Sequence, residues 1–409
     1  MTIRKSLHEN LCNQSGKVVD WFCGKSQSLE YPIYSSYDIR DAGFKISNVD
    51  ANIFPAGFNN ICPTDKESAT ALMSQYLEKH YGSSMKKVLL VTEEHTNNPH
   101  YWENVLTIQT LLKAAGRDVL VGIPRRLSQP VQVQSASGQS LNIVSAYEDS
   151  TQVREFKPDL VISNNDFSEA HEEWASQLTL PMNPPRQLGW YQRKKSQYFQ
   201  NYNQLVEEFS NLVGIDPFLL NVKTDFMPHF HLNDEDSRQT LSDRVDQMID
   251  YLKAEYSKRG IEQEPFVFVK NNSGTYGLAV VRMSRGHEVH EWNSKSRSKM
   301  KASKGGRGVQ EVIIQEGIAS RVQAEGAAAE PVIYMIGREL AGGFLRTHSE
   351  KGSTDSLNSP GAVFKKLCVS DLNVSLQGSP LENVYGWTAR LGLLAIGMEA
   401  RQLGARIKV

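Results

Sequence analysis

The sequence predicts an α/β protein in which a doubly wound parallel sheet is followed by a second domain of antiparallel strands. Two stretches carry this expectation. In KKVLLVTEEHTNNPHYWENVLTIQTLLKAAGRDVLVGIP an apolar run from Val88 to Val91 precedes a helical period and a second apolar run from Val119 to Ile123, the pattern of a β-α-β unit with parallel strands. In PFVFVKNNSGTYGLAVVRM two short apolar runs flank a polar, glycine-bearing tip, the pattern of a β-hairpin. A length of 409 residues exceeds what one hydrophobic core usually serves. Two domains are expected, residues 1–186 with an irregular N-terminal extension and residues 187–409.

Composition narrows the function classes. With 40% apolar and 22% charged residues the chain can fill and cover a large core. A formal net charge of -1 supplies no global field to recruit nucleic acid or an acidic membrane. The basic stretch NSKSRSKMKASKGGRG at 293–308 offers phosphate contacts, yet it has no aromatic residue to stack on bases. Cys12, Cys23, Cys62 and Cys368 form no C-x-x-C pair and read as reduced thiols of a cytoplasmic protein. MTIRKSLHENLCNQ lacks a signal-peptide core, and LGLLAIGM at 391–398 is too short to span a bilayer.

Taken in order, Gly116 stops the first helix, and KPDLVISNND reads as a further buried strand, so the parallel sheet occupies roughly residues 85–185. Ligands of such sheets sit beyond the carboxyl ends of the strands. Those ends carry Glu93, Glu94, His95, Thr96 and Asn97, and Asn164, Asn165 and Asp166; the alternative is that each is a solvated loop or capping residue. Residues 186–213 have helical spacing up to the stop GIDP and read as a domain-linking helix. His229 and His231, in FMPHFHL, are spaced like a metal pair, but two structural or exposed loop histidines are the preferred reading and they are left unassigned.

The hairpin holds the chemistry. Its first strand ends on Lys270, Gly274 and Gly277 let backbone N–H groups approach an anion, and Ser273 and Thr275 add hydroxyls, so a polyphosphate is the natural guest. No G-x-x-x-x-G-K-[ST] is present, and the alternative is an ordinary hairpin turn. Downstream, GVQEVIIQEGIASRV gives a strand running into Gln315, Glu316 and Gly317. AEPVIYMIGRELAGGFLRTH then gives a second hairpin ending on Arg346, expected in an exposed cleft, and LNSPGAVF presents Asn358.

This ordered set resembles the ATP-grasp ligases over about residues 187–365. The runs VIIQEGI, AEPVIYMIGRELAGGFLRTH and LNSPGAVF most resemble the proteobacterial ATP-grasp type of glutamate-cysteine ligase, with likeness over most of the chain. The resemblance implies a pre-ATP-grasp-like N-terminal domain followed by an ATP-grasp domain, with ATP and Mg2+ as cofactors. It implies that Lys270 contacts phosphate, that Ser273 to Gly277 close over the triphosphate, and that Gln315, Glu316, Gly317 and Ile318 line the adenine and ribose pocket. Arg346 would hold the γ-phosphate, and Asn358 would sit at the metal and phosphate end. Lys195, with Lys194 as its competitor, would be a further lysine near the nucleotide. The family's late Glu-x-Asn strand is not evident, so Glu330, Asp355 and Asn358 stand as the expected metal ligands.

The implied reaction joins glutamate to cysteine through γ-glutamyl phosphate, releasing ADP and phosphate. Phosphoryl transfer asks mainly for positioning and charge neutralisation, which this inventory supplies without a nucleophilic serine or cysteine. Another ATP-grasp ligase, such as a glutathione synthetase, or a nucleotide-binding protein without catalysis are the alternatives. Arg40, Asn59, Asn60 and the Glu93–His95 end are candidates for holding glutamate. Partners are then small molecules, with no nucleic acid and no membrane, and the oligomeric state is open, a homo-oligomer included.

Overall fold

The computed structural model describes residues 3–94, 97–274, 279–292, 309–368, 373–376 and 379–407, with backbone alone for 373–376 and 379–382. Helices α1 (Ile3–Asn13) and α2 (Ser15–Ser26) precede the hairpin β1 (Tyr34–Asp41) and β2 (Ile46–Asn52), and α3 (Pro63–Tyr81) follows. The parallel sheet comprises β3 (Lys87–Val91), β4 (Asp118–Ile123), β5 (Val131–Gln134), β6 (Ser140–Ser145), β7 (Leu160–Ser163) and β8 (Met182–Asn183), in the order β5-β6-β4-β3-β7-β8. All its pairings are parallel except β5 with β6.

Alternate residues of β3 enter different cores, as a two-sided sheet requires. Val88 and Leu90 pack with Met73 of α3 and Trp102 and Val105 of α4 (Pro99–Ala114). Leu89 and Val91 join a core that includes Val153 of α5 (Thr151–Phe156) and Trp174 of α6 (Glu172–Gln177).

Helix α7 (Lys195–Val213) leads to a four-stranded sheet, β11-β10-β12-β9, built from β9 (Thr224–Met227), β10 (Val267–Asn271), β11 (Val280–Met283) and β12 (Val312–Glu316). Helix α8 (Glu235–Lys258) covers it through Leu241, Val245 and Ile249. The third large sheet takes β13 (Gln323–Ala324), β14 (Ala327–Ile336), β15 (Glu339–His348) and β16 (Ala362–Leu367) and adds the N-terminal hairpin, giving the order β16-β15-β14-β1-β2. A small pair, β17 (Asn373–Leu376) and β18 (Ser379–Glu382), precedes the buried C-terminal helix α9 (Val384–Gln402). No described helix is long and apolar enough to cross a membrane.

Three expectations need correction. The division expected at residue 186 is crossed by a sheet, because β1 pairs with β14 from Tyr34↔Ile336 to Asp38↔Val332; the strand edge that completes β14 comes from the first 52 residues. The linking helix begins at Lys195, since Arg186–Leu188 is a single 3-10 turn. The reading of four reduced thiols fails for Cys62 and Cys368, which are joined by a disulfide, while Cys12 and Cys23 are free. That bond links positions 306 residues apart, a proximity that spacing along the chain cannot reveal. The basic stretch at 293–308 lies outside the described residues.

Candidate active site

Two antiparallel sheets face each other across a cleft with an empty volume, mouth included, of about 670 Å3. One wall presents Phe268, Lys270, Asn271 and Val280 of the β10–β11 hairpin and Gln315 of β12. The opposite wall presents Asp38 and Arg40, two residues apart on one face of β1, with Asp50 of β2 and Glu330 of β14.

A β-bulge shapes the second wall. Asp38 pairs with Asp50 and Ile39 with Asn48, so Val49 is the extra residue. The Asn48 amide donates to the carbonyls of Asp38 and Asp50 at 3.1 and 2.7 Å, and the Val49 carbonyl is left to accept from Lys270 Nζ at 3.2 Å.

Lys270 also donates to Gln315 Oε1 at 2.5 Å, so both of its hydrogen-bond partners are neutral. Burial pushes its ammonium down to about 8, against the pull of Asp50. Lys195, at the start of α7, reaches Asp50 Oδ1 at 2.5 Å and lies over the Trp190 ring at 4.6 Å. Deeper in the wall, Arg346 donates to Asp38 at 2.6 Å and to Glu330 at 2.8 Å. Arg40 pairs with Glu330 at 2.5 Å and donates to the carbonyls of Ser353 and Asp355. Burial alone would lift the Glu330 carboxyl, but Arg40 and Arg346 outweigh it and hold the carboxyl below its usual range.

Of the expected site residues, Lys195, Lys270, Gly274, Gln315, Glu316, Ile318, Glu330 and Asn358 all line the cleft. Arg346 is corrected from exposed to buried, because the two carboxylates it pairs with stand between it and the cleft. Lys194 pairs with Glu311 at 2.7 Å and does not line the cleft. The Glu316 carboxylate is taken by the fully buried Lys45 at 2.7 and 2.8 Å. Gly317 is required by packing, since a Cβ there would lie 2.2 Å from the Phe266 ring. The Ser273 hydroxyl donates to the Arg193 carbonyl; Thr275 and Gly277 lie outside the described residues, as do His95 and Thr96.

Of the expected metal ligands, Glu330 and Asn358 line the cleft together. Both Glu330 oxygens are engaged by arginines, and Asp355 accepts from the Gly352 N–H in its own loop. Among the glutamate candidates, Arg40 lines the cleft, whereas the Asn59 amide donates to Asn60 and neither lines it. Asn164 and Asn165 are tied to Pro55, Asn104 and Thr92. Glu93, Glu94, Asn165 and Asp166 border a separate hollow at the ends of β3 and β7. Sequence reasoning missed Asp38 and Asp50; the i, i+2 spacing of Asp38 with Arg40 was a signal for the first, and the bulge that orients the second leaves none.

A family profile described as glutamate-cysteine ligase matches residues 8–400. A crystal structure from Methylobacillus flagellatus KT, assigned as a gamma-glutamylcysteine synthetase, is 31% identical, with 97% of this chain and 96% of that chain covered and a TM-score of 0.83. A glutathione synthetase-like effector from Globodera pallida is 11% identical over 90% of this chain and 82% of that chain, with a TM-score of 0.39. D-alanyl-alanine synthetase A from Vibrio cholerae O1 biovar eltor str. N16961 is 10% identical over 78% and 81%, with a TM-score of 0.32. Scores at that level carry no argument. No curated protein matches by sequence. The family match and the 31% identical structure define an ATP-dependent ligase. The chain belongs to the glutamate-cysteine ligase family.

Proposed function

We propose that the cleft between the two antiparallel sheets binds ATP, and that the chain uses it to join the γ-carboxylate of glutamate to the amine of cysteine. The observation that carries this reading is Lys270, a half-buried ammonium on the cleft wall whose hydrogen-bond partners are neutral. A charge kept in that state is a receptor for an anion, and a triphosphate is the anion an ATP-dependent ligase must hold.

A free carboxylate cannot lose oxide to an amine, so it is first phosphorylated, and the amine then displaces phosphate. Lys270 and Lys195 bind and orient the phosphates, and the Gly274 end of the hairpin tip approaches them with backbone N–H groups. Phe268, Val280 and Ile318 supply apolar surface for a base. Arg40, held from three sides by Glu330 and two carbonyls, is a fixed positive group for a substrate carboxylate. Arg346 acts behind the wall, fixing Asp38 and Glu330. Magnesium would supply charge neutralisation at the phosphates, and Glu330, Asp355 and Asn358 are the residues proposed to meet it.

The test is ADP release with Mg·ATP, given glutamate plus cysteine and, separately, γ-glutamylcysteine plus glycine, with products identified by mass. Stimulation by the first pair with γ-glutamylcysteine formed is expected. Stimulation by the second pair alone would move the reading to glutathione synthesis, and silence with both would leave a nucleotide-binding protein.

A further inference from the structure

We propose that Asp50 is a resident stand-in for phosphate: its carboxylate holds Lys195, and an incoming nucleotide phosphate must displace it. This rests on the nucleotide reading of the cleft given above.

Asp50 and the two lysines come from three elements, β2, α7 and β10, so their meeting is a property of the assembled cleft. The Asp50–Lys195 pair lies at the cleft wall, with side chains 22% and 9% exposed. The second carboxylate oxygen of Asp50 makes no hydrogen bond among the described residues. Burial works against ionisation of Asp50, but Lys195, Lys270 and Arg193 overcome it, so the group remains an anion where an anion is wanted.

A carboxylate in this position mimics one phosphate oxygen pair and opposes a real phosphate. Two like charges about 4–6 Å apart in a half-buried cleft cost roughly one to two powers of ten in affinity. Relief is local. Strand β2 is fixed by the Asp38↔Asp50 pairing and by the Asn48 amide on the Asp50 carbonyl, so displacement is a side-chain rotation. The Trp190 ring under the Lys195 ammonium keeps that ammonium in place when its partner leaves.

The experiment is calorimetric binding of ATP and of adenosine to the full-length chain, in EDTA and again with Mg2+, for wild type, Asp50→Asn and Asp50→Glu. Expected is ATP binding about tenfold or more tighter in Asp50→Asn, unchanged adenosine binding, and wild-type-like ATP binding in Asp50→Glu, which keeps the charge. A merely structural role would weaken binding or leave it alone. Equal or weaker ATP binding by Asp50→Asn, or an equal gain for adenosine, overturns the proposal. Failure of wild type to bind ATP at all overturns the nucleotide reading itself.

Discussion

Lys270 ties the chemistry of the cleft to pH. Its ammonium is held down to about 8, so it is charged below that pH and lost as pH rises through it. ATP affinity is therefore expected to be flat between about pH 6.5 and 7.5 and to fall about tenfold per unit above about 8; calorimetry across that range tests it, and a flat profile to pH 9.5 would sink it. The same depression has the opposite sign for folding. The unfolded chain holds more protons between about 8 and 10.5, so the contribution of this group to stability rises with pH there. Replacing Lys270 with Met should weaken ATP binding by about tenfold to a hundredfold while leaving the fold intact, because a charge-assisted hydrogen bond is lost along with a desolvation cost. Arg346 behaves differently. Removing it strands the buried Asp38 carboxylate and leaves Glu330 with Arg40 alone, and Arg346→Ala is expected to cost about 3–5 kcal/mol of stability in chemical denaturation. A variant that loses turnover while melting like the wild type would return Arg346 to direct contact with substrate.

Elements with a strong period were legible, and those made by tertiary context were not. The apolar runs at Val88–Val91 and Val119–Ile123 became β3 and β4 because a strand buried on both faces needs little but length and apolarity. The glycine-tipped hairpin became β10 and β11 in antiparallel register, with Lys270 opposite Val280. The opposite wall was hidden: SSYDIRD alternates weakly, and nothing in it declares that β1 will pair with β14. The Val49 bulge, which gives Lys270 a carbonyl and sets Asp50 in the cleft, is a tertiary event with no local signal. Arg346 was recognised as part of the site but set too far forward, because a strand residue's facing neighbours are invisible in one dimension. The end of β12 yields a prediction. Gly317 donates its N–H to the Phe266 carbonyl and has the Phe266 ring where a Cβ would go. Gly317→Ala should cost about 1–3 kcal/mol by overpacking, read as a lowered urea midpoint with unchanged slope.

The whole molecule is held by links between distant parts of the chain. Arg193, just before α7, donates to Glu399 of α9 at 2.9 and 3.0 Å and to the Ala51 carbonyl of β2 at 2.7 Å. The Cys62–Cys368 bond fastens the residue before α3 to the residue after β16, the edge strand beyond the Asn358 loop. Alkylation of the denatured, unreduced chain should therefore modify Cys12 and Cys23 alone, and reduction should expose two further thiols by mass. Cys368→Ser should lose about 2–5 kcal/mol, with four reactive thiols in the unreduced wild type as the contrary result.

The strand order β16-β15-β14-β1-β2 also governs how the molecule comes into being. Strand β1 leaves the ribosome early, yet its partner β14 lies about 300 residues later. At roughly 5–20 residues per second the wait is about 15–60 s, during which β1 has an open edge and half of the cleft does not exist. Nascent chains arrested before residue 327 should hold a folded parallel sheet and no capacity for nucleotide, because ligand binding in this architecture is acquired only near the end of synthesis.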